Sequence, residues 1–215
     1  MSNFNFYFEY TSTYSAIAAI RIKDLYHSGK LSHINLNLKP FLLGLVFKNN
    51  GNTSGPLSNI PKAKYMMKDF TRVSVKQLGF ALSIPKKFPL KSNLATQITT
   101  YLINSQPSNK ETMGKLLNFI AAVYISGFQK HADISNVDVL KQCLNQIFPE
   151  LDADQVISLG SNAEFKEKVK ETTEEAINLG IFGAPSFIVK DQLFWGQDRL
   201  DEALQLCGEK QKAKL

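Results

Sequence analysis

The chain has 215 residues, 44% of them hydrophobic and 20% charged. This is ordinary globular composition; it excludes collagen-like and low-complexity classes and suits one domain with an insertion or two small domains. The formal charge is +6. Apart from a cluster near the C-terminus (Arg199, Lys210, Lys212, Lys214), the basic residues are scattered. They argue weakly for nucleic acid, which needs cations gathered on one face, and suit a small anionic ligand equally well.

In chain order, Phe4, Phe6 and Phe8 alternate with Asn5, Tyr7 and Glu9, a period-two pattern that predicts a strand. Residues 13–27 then read as a helix, capped by Ser12 or Thr13 and stopped at Ser28-Gly29. Ile34, Leu36 and Leu38 predict a second strand, ended by Pro40. A helical crossover between two strands makes them parallel. Residues 44–61, rich in Gly, Asn, Ser and Pro, read as a long loop.

From Pro61 to about Leu179 the patterns are all helical: 61–79, 90–104, 109–129, 136–147, 153–160 and 162–179. Strand texture returns at Ser186–Val189 and Leu193–Trp195 around a short turn, and a last helix runs from about Arg199 to Leu206. The expectation is an α/β fold: a thioredoxin layout in two parts, residues 1–60 and 165–215, with an all-helical insertion over 61–164.

Other signals are quiet. Cys143 and Cys207 lie far apart, outside any C-x-x-C, and read as free thiols in a reducing compartment. The N-terminus has neither a basic n-region nor an apolar h-region, and the apolar run 119–125 is too short to span a bilayer. The expectation is a cytoplasmic protein with no nucleic-acid and no membrane partner. His27, His33 and His131 are too dispersed for a metal site.

Chemistry concentrates at two places. Gly183-Ala184-Pro185-Ser186 precedes the hairpin; a cis Ala184–Pro185 bond there leaves the Ala184 backbone free to pair with an extended peptide. In a thioredoxin layout the first helix's N-terminus faces that loop. Redox members carry C-x-x-C there, whereas this chain has Ser12-Thr13-Tyr14-Ser15, which forms no disulfide. Ser12 either only caps the helix or also donates a hydrogen bond that, with the helix dipole, lowers a bound thiol's pKa.

Five motifs in order, FYFEYTSTYSAI, KPFLLGLVFKNNGN, PKAKYMMKDF, GIFGAPSFIV and FWGQDRL, resemble the family of kappa-class glutathione transferases and 2-hydroxychromene-2-carboxylate isomerases over about residues 4–207. The resemblance implies a DsbA-like thioredoxin fold with a helical insertion, glutathione as cofactor, and a homodimer. It implies that Ser12 keeps the glutathione sulfur as thiolate for attack on a small electrophilic, often aromatic substrate, by conjugation or cis–trans isomerisation. Thr13 stands where the family has proline, and the resemblance implies that Ser12, Thr13 and Tyr14, with Pro185 across from them, belong to the glutathione-binding site. Ala184, before Pro185, would pair with the cysteinyl backbone; Gln197 and Asp198 would hold the γ-glutamyl end; Asn52 and Lys62 match further polar contacts. Phe47 and Trp195 read first as core residues and second as walls of an acceptor pocket between the loop 44–61 and the helical block. A peptide-binding module without chemistry is the alternative.

Overall fold

The computed structural model describes residues 2–51 and 59–208. Its sheet has four strands in the order β2-β1-β3-β4. β1 (Ser2–Phe8) and β2 (Ile34–Pro40) are parallel, flanking α1 (Thr13–His27) in sequence. β3 (Ser186–Val189) pairs antiparallel with β1 and forms the expected antiparallel hairpin with β4 (Gln192–Trp195). Alternation along β1 sorts its side chains. Phe4, Phe6 and Phe8 join the large core, where Phe6 stacks on Phe8 at 4.9 Å and on Phe187 at 5.5 Å. Tyr7 points to the other face and joins a smaller cluster with Phe41, Val46 and Ile181.

Between β2 and β3 run α2 (Leu43–Asn49), α3 (Ile60–Leu78), α4 (Asn93–Ser105), α5 (Lys110–Phe128), α6 (Val137–Ile147), α7 (Ala153–Gly160) and α8 (Ala163–Asn178). A 3-10 turn, Gln197–Arg199, leads into α9 (Leu200–Gly208). One expectation fails here. The stretch 44–61 is not all loop, because Leu43 and Val46 fall on one side of α2 and are buried against the smaller cluster. That burial outweighs the poor helix propensity of the glycine and asparagines around them. Asn52 lies outside the described residues.

Five of the helices in this block are capped by side chains as their sequences direct. Asn59, Asn109, Asn136, Asp152 and Asn162 each accept a first-turn amide at the start of α3, α5, α6, α7 and α8. Gly79 ends α3 at φ +78, a conformation open to glycine at no steric cost.

The helical block shares its core with the sheet. Leu116, Phe119, Ile120, Val123 and Tyr124 of α5 belong to the cluster that holds Phe4, Ile17 and Ile20. Tyr124 donates to the Glu9 carbonyl at 2.9 Å. The Tyr10 hydroxyl lies 2.7 Å from Thr99 Oγ1; since Thr99 spends its proton on the Ala95 carbonyl, Tyr10 is the donor. These buried bonds tie the end of β1 to α4 and α5. Among the described residues, no helix is long and apolar enough to cross a membrane.

Phe128 anchors this arrangement, fully buried against Phe70 (5.2 Å), Phe88 and Tyr124 (each 6.4 Å). Phe128→Ala should cost about 3–5 kcal/mol, the transfer term plus the cavity. Urea unfolding measures it, and a loss below ~1 kcal/mol contradicts this role for the ring.

Candidate active site

Ser12 stands where β1 turns into α1. Its backbone is extended (φ −79, ψ 114), and its Oγ accepts from the Ser15 amide at 3.2 Å as the N-cap. The same Oγ donates to the Ala184 carbonyl at 2.8 Å, across 172 residues of sequence. The Ala184–Pro185 peptide is cis. Pro185 O accepts from Gly196 N at 2.9 Å, and Ser186 Oγ donates to Gly183 O at 2.9 Å, which fixes the loop against β4. Ser12 and Ala184, both singled out in the sequence, are thus brought into direct contact. The amides of Thr13 and Tyr14 lie outside the helix's own ladder, and the first turn of α1 has no acidic residue, so this end presents donors and positive potential.

The turn is held from below by Glu9. Its carboxylate accepts from the Thr11 amide at 2.8 Å, from the Thr11 hydroxyl and from the Ser92 side chain. Burial pushes the Glu9 carboxyl above its ordinary range, while hydrogen bonds from Ser92 and Thr11 oppose that rise. Its backbone carbonyl accepts from Ser12 N at 3.0 Å. Ser15 Oγ is buried with the Tyr124 hydroxyl as polar neighbour and without a well-formed bond.

Tyr14 reaches sideways to α3, donating to Asp69 Oδ2 at 2.6 Å. Arg72 donates to Asp69 Oδ1 at 2.5 Å, and its guanidinium lies 5.7 Å from the Tyr65 ring centroid. The Tyr14 hydrogen bond, then Arg72, holds the Asp69 carboxyl below its ordinary range; burial and the bond to Asp69 push the Tyr14 phenol up. The sequence reading missed Asp69 and Arg72. The signal was there, an acid and a base three apart on a helix, but nothing in the pattern says that Tyr14 meets them.

Of the other predicted residues, Gln197 is buried, its Oε1 lacking a hydrogen-bond partner among the described residues, while Arg21 Nη1 donates to its backbone carbonyl at 3.4 Å. Asp198 is exposed and lies 3.9 Å from Arg199. Lys62 sits in the first turn of α3; its backbone amide donates to Asn59 and its side chain is exposed, without a bond to the Ser12–Ala184 pair. Trp195 is not core: it is 53% exposed, packs at a tilt against Phe182 with ring centroids 4.9 Å apart and lies over Gly183, where a Cβ would collide with the indole. Phe47 packs on the smaller core cluster. A cleft of about 600 Å³ opens elsewhere, at the outer edge of β2 between Asn37, Asn104, Thr112 and Glu171, and includes none of the predicted site residues. Among the described residues, no group of three or more His, Cys, Asp or Glu could hold a metal.

The low Asp69 pKa carries a sign. A carboxylate stabilised in the folded state supports folding above its unfolded value, ~3.9, and loses that support as pH falls through the folded value. Asp69→Asn should cost about 1 kcal/mol at neutral pH, and the gap to wild type should narrow as pH falls below about 4 and close as it passes through the lowered folded value. Unfolding curves at both pH values check this; a gap independent of pH contradicts the assignment.

The family model described as DSBA-like thioredoxin domain matches residues 4–206. The chain is 26% identical to 2-hydroxychromene-2-carboxylate isomerase of Sphingobium xenophagum over 199 residues, covering 92% of this chain and 93% of that protein. It is 27% identical to glutathione S-transferase kappa 1 of Rattus norvegicus over 192 residues, covering 84% and 80%. A solved 2-hydroxychromene-2-carboxylate isomerase superposes with a TM-score of 0.78 at 19% identity, over 93% of this chain and 91% of the other, a likeness of fold. Matched over nearly its whole length, and built as a four-stranded sheet with a helical insertion, the chain belongs to the DSBA-like thioredoxin domain family.

Proposed function

We propose that the protein is a glutathione-dependent enzyme of the transferase or isomerase type, with Ser12 keeping the glutathione sulfur anionic. The observation that carries this reading is the Ser12 hydroxyl at the α1 N-terminus, 2.8 Å from the carbonyl before a cis-proline. A hydroxyl has one proton. Ser12 spends it on Ala184 O while that carbonyl has no other donor. The cysteinyl N–H of glutathione, laid along the loop as an added strand, replaces Ser12 at Ala184 O and releases the hydroxyl to the sulfur. The helix dipole and the amides of Thr13 and Tyr14 add to the same charge preference.

The rest of the tripeptide has partners to match. Gln197 Oε1 is a buried acceptor without a donor, which the γ-glutamyl ammonium supplies, with Asp198 as counter-charge. Lys62 suits a carboxylate as a point charge, and Asn52 is assigned to the same ligand. The thiolate then attacks an electrophilic carbon with its own electron pair. In conjugation the C–S bond stays and either a leaving group departs or solvent protonates the adduct. In isomerisation the adduct rotates about the former double bond and expels the thiolate again. The exposed Phe182–Trp195 pair beside Ala184 offers an apolar wall to an aromatic acceptor. A cytoplasmic homodimer accompanies this reading.

Two outcomes are expected. Ser12→Ala removes a hydrogen bond to an anion, worth about 1.5–3 kcal/mol, so the pKa of bound glutathione should rise by roughly 1–2 units. Thiolate absorbance titrated on wild type and variant reads this, and superimposed curves would refute the role of Ser12. If calorimetry detects no glutathione binding at all, the peptide-module reading takes its place. Thr13→Pro restores the family's residue at the first helical position, where the extended Ser12 backbone tolerates it. Thermal unfolding should show a gain of ~0.5–1 kcal/mol, and a loss of that size means the Thr13 amide or hydroxyl is already in use.

A further inference from the structure

The tertiary structure gathers cations that look scattered in the sequence. α3 buries only Phe70 and Ser74. At 100° per residue, Lys64, Lys68, Arg72 and Lys76 form one stripe on the opposite side, with Val75 and Tyr65 among them and Ile60 at one margin. All are exposed, with Ile60 at 67%, Tyr65 at 62% and Val75 at 49%. Lys64 to Lys76 covers about 18 Å of helix. No acid lies on this arc. Asp69 sits at its flank and is spent on Tyr14 and Arg72. Lys64, Lys68 and Lys76 make no ion pair with a described residue. Residues 52–58, NTSGPLS, which precede α3, carry no charge that could neutralise the stripe. A solvated face in this same protein looks different: on α8, Lys168 pairs with Glu164 and Lys170 with Glu167.

We propose that the outer face of α3 docks on an anionic bilayer surface. The charge is complementary, and exposed Val75 and Tyr65 among the cations, with Ile60 at their margin, gain from the acyl–headgroup boundary, a gain that phosphate backbones do not offer. A second copy of the chain is disfavoured there, since two such stripes repel. The expectation of no membrane partner rested on the absence of a spanning segment, and peripheral adsorption is a separate contact. Four cations without a lipid anchor give weak, reversible binding that salt weakens. The Tyr14–Asp69 bond places this helix beside the Ser12 turn, so docking brings the candidate site to the surface without depending on its chemistry.

The test is sedimentation of the full chain with vesicles of phosphatidylcholine and phosphatidylserine, about two to one, and with phosphatidylcholine alone. Binding to the anionic vesicles should fall about tenfold between ~50 and ~300 mM salt, and neutral vesicles should bind little. Lys64→Gln, Lys68→Gln and Lys76→Gln combined should lower binding at low salt by about tenfold or more while circular dichroism and melting stay unchanged, since these side chains pair with none of the described residues. Val75→Ser should also weaken binding, with no change in charge. Equal binding to neutral vesicles, no binding to anionic ones, or a triple variant that binds like wild type overturns the proposal. Tighter retention by a DNA duplex at the same salt overturns it too and assigns the face to nucleic acid.

Discussion

The site turns on one hydroxyl proton. Ser12 caps α1 through the lone pairs of Oγ and gives its single proton to the Ala184 carbonyl. The bond joins the two halves of the thioredoxin layout, since Ser12 follows β1 and Ala184 precedes β3. It also keeps both groups satisfied in a place where burial would make a lone carbonyl or hydroxyl costly. A ligand that brings its own N–H to Ala184 and its own anion to Ser12 exchanges this bond for two others and leaves no group unpaired.

Everything around that bond limits how far it can move. The Glu9 carboxylate gathers the Thr11 donors and Ser92, its carbonyl takes Ser12 N and Tyr124, and Tyr10 reaches Thr99. The helical block therefore does more than enlarge the core. It supplies the hydroxyls and ring packing that set the turn, while Tyr14 and Asp69 set its distance from α3. Networks of this kind are costly when incomplete, and here the loose ends are few: Ser15 Oγ and Gln197 Oε1 among the described residues. Gln197 belongs to the segment proposed to hold the ligand, and its open acceptor is consistent with that proposal.

Much of this was legible beforehand. The alternating aromatics of β1, the cap at Ser12, the glycine stop after α1, the hairpin and its preceding proline, and the long helices 110–128 and 163–178 all follow from local chemistry that acts within a few residues. What local chemistry missed was burial. Gly44, Asn49 and Asn50 suggested a loop, yet two apolar contacts made by Leu43 and Val46 formed a helix. Trp195 looked like core because large aromatics usually are, yet it lies half exposed on Phe182 beside the proline loop.

The sequence alone determined which residues cap, turn and alternate, and that a C-x-x-C is absent from the turn, because each of these depends only on a residue and its near neighbours. Only the tertiary structure decided that Ser12 meets Ala184, that Tyr14 meets Asp69, and that four cations spaced along α3 share one open face. Those are meetings between segments tens to hundreds of residues apart, or the choice of which side of a helix is buried, and no periodicity records where a distant segment will pack.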